Sequence, residues 1–163
     1  MPSNNTAGGH QHRTMTTAWT TTVQKAAAAV GIVFVLVAIL GFIPGATTEY
    51  DRLTAAGTES GAMLLGVFQV SVLHNVVHLA FGVAGLAMAG AMRSARTFLV
   101  GGGVIYLALW LYGLLIDKNS AANFVPVNTA DDWLHFALGA GMVAMGLVLG
   151  KTRRRDEGTE GGL

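Results

Sequence analysis

The residues of this chain that can do chemistry crowd into two short stretches, "HNVVHLAFG" at 74–82 and "DDWLHFALG" at 131–139. His74 and His78 stand four residues apart and so share one helical face. Asp131 and His135 repeat that spacing. Two such arms make a ligand set for Zn²⁺ or another divalent ion, in which His74, His78, Asp131 and His135 supply three imidazoles and a carboxylate. The same residues fit a second chemistry. His78 and His135, as neutral imidazoles on parallel helices, suit the two axial positions of haem b, with Gly82 and Gly139 one turn further along giving a flat macrocycle room. Trp110 and Tyr106 would then pack on the ring, and Arg52 and Lys118 are the cations available to the propionates. Histidines near a membrane surface also suit a sensor of external pH.

A third reading needs no ligand. His78 and His135 would hydrogen-bond across two helices, with Asn75, Asp131 and Asp132 bridging or capping beside them and Asn128 or Thr129 as further caps. Such interhelical polar pairs contribute only about 0.6–2 kcal/mol, yet they set register where hydrophobicity cannot.

Several chemistries are excluded. The chain has no cysteine, hence no disulfide, thiolate ligand or thiol nucleophile. The metalloprotease signature needs a Glu after its first histidine, and Asn75 stands there; an amide is no general base. Gly101–Gly103 lack the Lys-Ser/Thr of a phosphate-binding loop. His10-Gln11-His12 belongs to a solvated stretch. No basic patch interleaves with aromatics, so nucleic acid is not an expected partner. No nucleophile–base arrangement marks an enzyme.

The elements that must hold these residues are apolar. Of the 163 residues, 52% are hydrophobic and 12% charged, against roughly 25% charged in soluble domains. The charges fall between four long apolar runs: 26–43, 62–92, 97–116 and 133–150. This predicts an all-α integral membrane domain over 23–150, with helices at about 24–43, 62–92, 97–116 and 129–150 in an up-down four-helix bundle. Residues 1–22 read as a disordered tail and 151–163 as a charged one. Small-residue pairs such as Gly146 with Gly150 and Gly85 with Ala89 predict close helix approach.

Lys25, Arg13, Arg93, Arg96, Lys151 and Arg153–Arg155 fall on one side, and only Arg52 and Lys118 on the other. That asymmetry places both termini in the cytoplasm of a bacterial inner membrane.

The two chemical stretches align. His78 matches His135, Gly82 matches Gly139, Asn75 matches Asp132 and His74 matches Asp131, which suggests a duplicated helix pair. The first and third helices show no convincing match. His78 lies 15 residues before Arg93, and His135 lies 16 before Lys151. Both then sit about 22–24 Å from the cytoplasmic boundary of a core about 30 Å thick. Trp110, 14 residues after Arg96, stands at nearly the same height. The expected polar cluster is therefore His74, Asn75, His78, Asp131, Asp132, His135 and Trp110, which must face protein rather than lipid.

The stretches "HNVVHLAFGVAGL" and "VNTADDWLHFALG", with the hydropathy around them, resemble a family of small, largely actinobacterial four-helix membrane proteins, domain of unknown function forty-three eighty-three. The resemblance covers roughly residues 24 to 150. It implies the topology and no activity. The family pattern usually carries Asn where Asp132 stands here. The function expected is that of a small structural or accessory membrane protein, in contact with the bilayer and associating with itself or a larger membrane complex. The alternative is a haem b- or metal-binding redox or sensor protein built on His78 and His135.

Overall fold

The structure, a computed structural model, describes residues 19–150. The charged stretch 151–163 and most of the N-terminal tail lie outside the described residues.

Four helices dominate: α1 (Thr22–Leu40), α2 (Val72–Met88), α3 (Met92–Leu115) and α4 (Thr129–Leu149). Three of the four starts carry a side-chain cap. At α1, the Thr21 hydroxyl accepts the Gln24 N–H while Gln24 Oε1 accepts the Thr21 N–H, a capping box. Asn128 and Asp131 form the same box at α4, and the Ser71 hydroxyl caps α2 through the His74 N–H. Three helices, α1, α3 and α4, are long and apolar enough to cross a membrane; α2 is apolar but shorter, at 17 residues.

That shortness corrects the expected helix over 62–92. Residues 62–70 are apolar, but they turn back as a hairpin instead of extending α2. Strands β1 (Thr47–Thr48), β2 (Met63–Leu64) and β3 (Phe68–Gln69) form a small antiparallel sheet over one end of the bundle. Leu65 and Gly66, both at positive φ, make the tight turn between β2 and β3. Ala62, Leu64 and Val70 bury themselves against Val37 and Leu40 of α1. At the opposite end only residues 89–91 separate α2 from α3, so Arg93 and Arg96 belong to the first turns of α3 rather than to a loop.

The bundle is two antiparallel hairpins, α1–α2 and α3–α4, each packed most extensively within itself. Their contacts recur pair by pair. At the short-turn end, Gln24 Nε2 donates to the Ala89 carbonyl at 3.0 Å, and Arg96 Nε donates to the Gly146 carbonyl at 3.2 Å. Midway, a Cβ on Gly31 would meet the Gly82 carbonyl oxygen at 2.9 Å, and one on Gly103 would meet the Gly139 oxygen at 2.8 Å. At the sheet end, Gly41 leaves room for the Asn75 amide, and Gly113 for the Asp132 carboxylate. Each hairpin therefore closes on glycine at the same level, the backbone approach that small residues permit.

Phe34 of α1 and Tyr106 of α3 occupy equivalent positions and meet at the centre, ring centroids 5.2 Å apart. Outward faces carry exposed apolar side chains on every helix, among them Leu36, Val83, Val104 and Val148. A water-facing surface of this kind would be costly; a lipid-facing one is not.

Candidate metal centre

The aromatic pair at the centre supports the histidines. Phe34 packs on His78 at 5.6 Å between ring centroids, and Tyr106 packs on His135 at 5.2 Å. This is the hairpin contact again, once in each half. His74 stacks beside His78 at 4.5 Å. The result is a cluster of three imidazoles, two from α2 and one from α4, each offering one ring nitrogen, with those nitrogens all within 4.8 Å of one another. His74 is 3% exposed and His135 5%.

Hydrogen bonding leaves the cluster open to a ligand. His74 Nδ1 lies 3.1 Å from the Pro126 carbonyl oxygen, a bond that requires the proton on Nδ1, and the same imidazole also meets the backbone of Gln69. The Nδ1 atoms of His78 and His135 are buried with no partner. The direct hydrogen bond expected between His78 and His135 is not formed among the described residues, so their burial has no polar compensation within the protein.

Asp131, the fourth expected ligand, occupies the position equivalent to His74 and reaches the other hairpin reciprocally. His74 bonds the segment preceding α4; the Asp131 carboxylate accepts the Gln69 N–H, in the segment preceding α2, at 3.1 Å. It also accepts the Asn128 N–H at 2.8 Å. Both bonds use Oδ2. Asp131 stands outside the three-histidine group yet lines a cavity that all three histidines line.

Asn75 and Asp132 are equivalent and equally buried, but they lie one residue away from this centre and face their own hairpin glycines. Asp132 receives both its hydrogen bonds from Lys118 Nζ, at 2.8 and 2.7 Å. That lysine, expected as a loop cation available to haem propionates, is drawn instead into an ion pair with a carboxylate that is 2% exposed. Asn75 has neither amide atom bonded. Trp110 sits apart from the histidines, against Phe136 at 4.8 Å and Trp133 at 6.4 Å between ring centroids.

The room that the haem expectation assigns to Gly82 and Gly139 is taken by the facing helices. Gly82 does not face an open slot: a Cβ there would strike the backbone of Gly31 and Val35 in α1. Gly139 is closed in the same way by Gly103 and Leu107 of α3. The cavities beside the histidines hold about 130 and 150 Å³, below the roughly 300–1,000 Å³ of ordinary cofactor pockets.

A single metal ion does fit the donor set. A tetrahedral site with bonds of 2.0–2.1 Å places its ligand nitrogens roughly 3.4 Å apart. The rings need to draw together by about an ångström, within reach of small side-chain rotations.

The chain belongs to the family described as domain of unknown function DUF4383, whose profile matches residues 24–148. No curated protein and no solved structure matches it.

Proposed function

We propose that this family member is a four-span membrane protein that binds one divalent transition-metal ion between His74, His78 and His135, with Asp131 as the carboxylate nearest the open side. The observation that carries the reading is the convergence of three imidazoles, those of His74 and His135 buried and that of His78 partly so, with the Nδ1 atoms of His78 and His135 unpartnered. Imidazole donors suit Zn²⁺, Cu²⁺, Fe²⁺ and Ni²⁺ rather than Mg²⁺ or Ca²⁺, which prefer oxygen. The His74–Pro126 bond supports the same reading, since ligating histidines ordinarily give their second N–H to a carbonyl or carboxylate.

The helix α2, at 17 residues, is at the lower limit of a spanning length, and its exposed Val76 and Val83 suit lipid. Four spans follow, with both termini on the cytoplasmic side of a bacterial inner membrane by the distribution of Lys and Arg. The sheet and the histidines then lie toward the outer face.

A structural or accessory role is the second reading. It is favoured by the reciprocal bonds of His74 and Asp131, which tie each hairpin to the other. Elemental analysis of protein purified in mild detergent separates the two. A metal-binding protein retains one ion per chain, and His78→Ala with His135→Ala releases it. A structural bundle carries no ion, before or after loading with Zn²⁺ and dialysis.

A further inference from the structure

Two cavities flank the histidine cluster, and the pseudo-symmetry of the hairpins relates them. One, about 130 Å³, lies at the α2–α3 seam; the other, about 150 Å³, lies at the α1–α4 seam. Tyr106, Leu109 and Val77 line the first where Phe34, Val37 and Leu134 line the second, equivalent positions in each case. Both end on His74, His78 and His135. Apart from these imidazoles the walls are almost wholly apolar: Tyr106 and Tyr112 are the polar-tipped residues of one cavity, and Asp131 is the polar residue of the other.

The mouths are apolar too. Val77 and Leu109 are exposed beside the first cavity, Val33 and Leu134 beside the second. On the sheet side, Phe124 and Val125 border the first cavity, and Leu64, Leu65 and Phe68 border the second. The exposed Val77, Leu109, Val33 and Leu134 beside the cavities suit hydrocarbon rather than water.

Size and polarity together narrow what can enter. A cavity of about 150 Å³ with walls this apolar accommodates benzene or xenon, and holds water only where it meets the imidazoles. Ions and strongly hydrated anions pay too much to cross such walls. At the inner end a ligand must offer a donor atom to a metal with open positions. Lipid-soluble molecules that do both are the neutral diatomics.

We infer that the paired cavities are lateral routes from the bilayer to the histidine-bound metal, and that they admit a small neutral diatomic ligand of the dioxygen or nitric oxide class. This rests on the metal reading above, so its test keeps the two apart. Crystals of the full chain under xenon pressure should show one xenon in each cavity, with or without metal. Val37→Phe should remove the xenon of the second cavity and Leu109→Phe that of the first. Protein loaded with Fe²⁺ and exposed to nitric oxide should give the paramagnetic signal of an iron–nitrosyl. Each single variant should slow its appearance, and the double variant should slow it by an order of magnitude with iron content unchanged.

Absence of xenon from both cavities overturns the proposal. So does an iron-loaded protein that gives no nitrosyl signal, or one whose double variant reacts as fast as the parent. A chain that takes up Zn²⁺ but no iron also overturns the proposal and leaves the metal reading standing; one that takes up neither defeats the metal reading, a failure that elemental analysis registers before nitric oxide is added.

Discussion

His74 Nδ1 lies 3.1 Å from the carbonyl oxygen of Pro126. A carbonyl only accepts, so the imidazole must be the donor, and its tautomer is fixed with the proton on Nδ1. The bond joins α2 to the segment that leads into α4. In the metal-free protein, ¹⁵N-resolved spectra of the side chain should show a protonated Nδ1 on His74. Addition of Zn²⁺ should move the Nε2 resonance and leave the Nδ1 proton in place. A proton found on Nε2 would contradict the assigned donor.

Lys118 and Asp132 make a different prediction. The carboxylate is almost fully buried, and its ammonium partner is partly exposed, at 28%. Removing the lysine strands a charge, so Lys118→Met should cost about 2–3 kcal/mol, less than a fully buried pair because water still reaches the site. Asn75 shows that a neutral amide is tolerated at the equivalent place. Adding Asp132→Asn to Lys118→Met should therefore recover most of the loss in thermal unfolding in detergent. A double variant no more stable than the single would show that the charge was not the cost.

The glycine seams are testable by addition of one methyl group. Gly31→Ala and Gly103→Ala each place a Cβ against backbone on the facing helix, which cannot move aside. Each should destabilise by about 1–3 kcal/mol. Gly101 and Gly141 have nothing within 4 Å of such a Cβ, so alanine there should be neutral or stabilise by up to about 1 kcal/mol through helix propensity. Equal effects at all four positions would mean that the hairpins do not close on Gly31 and Gly103.

Much of this was legible in the sequence, and what was not has physical reasons. The pairing of His78 with His135, and of His74 with Asp131, could be read from motif spacing because the histidine and the glycine four residues after it, His78 with Gly82 and His135 with Gly139, persist in both halves. The equivalence of α1 with α3 could not. Its marks are Phe34 against Tyr106 and Gln24 against Arg96, chemically unlike residues doing the same geometric job, and Gly31 against Gly103 in helices already rich in small residues. The connection 41–71 is also far longer than 116–128, which shifts the two halves out of register. The apolar stretch 62–70 imitated helix because hydropathy counts burial, not conformation; Gly66 at its turn and Ser71 as the α2 cap were the available signals. Gly82 and Gly139 were rightly noticed as small, but only the facing helix decides whether a small residue opens a space or closes a seam.

Gln24 and Arg96 perform equivalent bonds at the short-turn end, but Gln24 also donates to the Gly90 carbonyl and closes the α1 capping box. Arg96→Ala should lower stability by about 1 kcal/mol, the usual net worth of one such hydrogen bond, and Gln24→Ala by more. Because the two bonds lie in separate hairpins, the double variant should show the sum. Strong coupling between them in thermal unfolding would argue that the short-turn end forms a single network.

The central claim is that His74, His78 and His135 hold one metal ion. X-ray absorption at the zinc edge of the Zn²⁺-loaded protein tests it most directly. The account predicts three imidazole ligands at about 2.0–2.1 Å with one further oxygen at similar distance, and loss of one imidazole in each single His→Ala variant. A first shell of oxygens alone, or a spectrum unchanged in those variants, would contradict it.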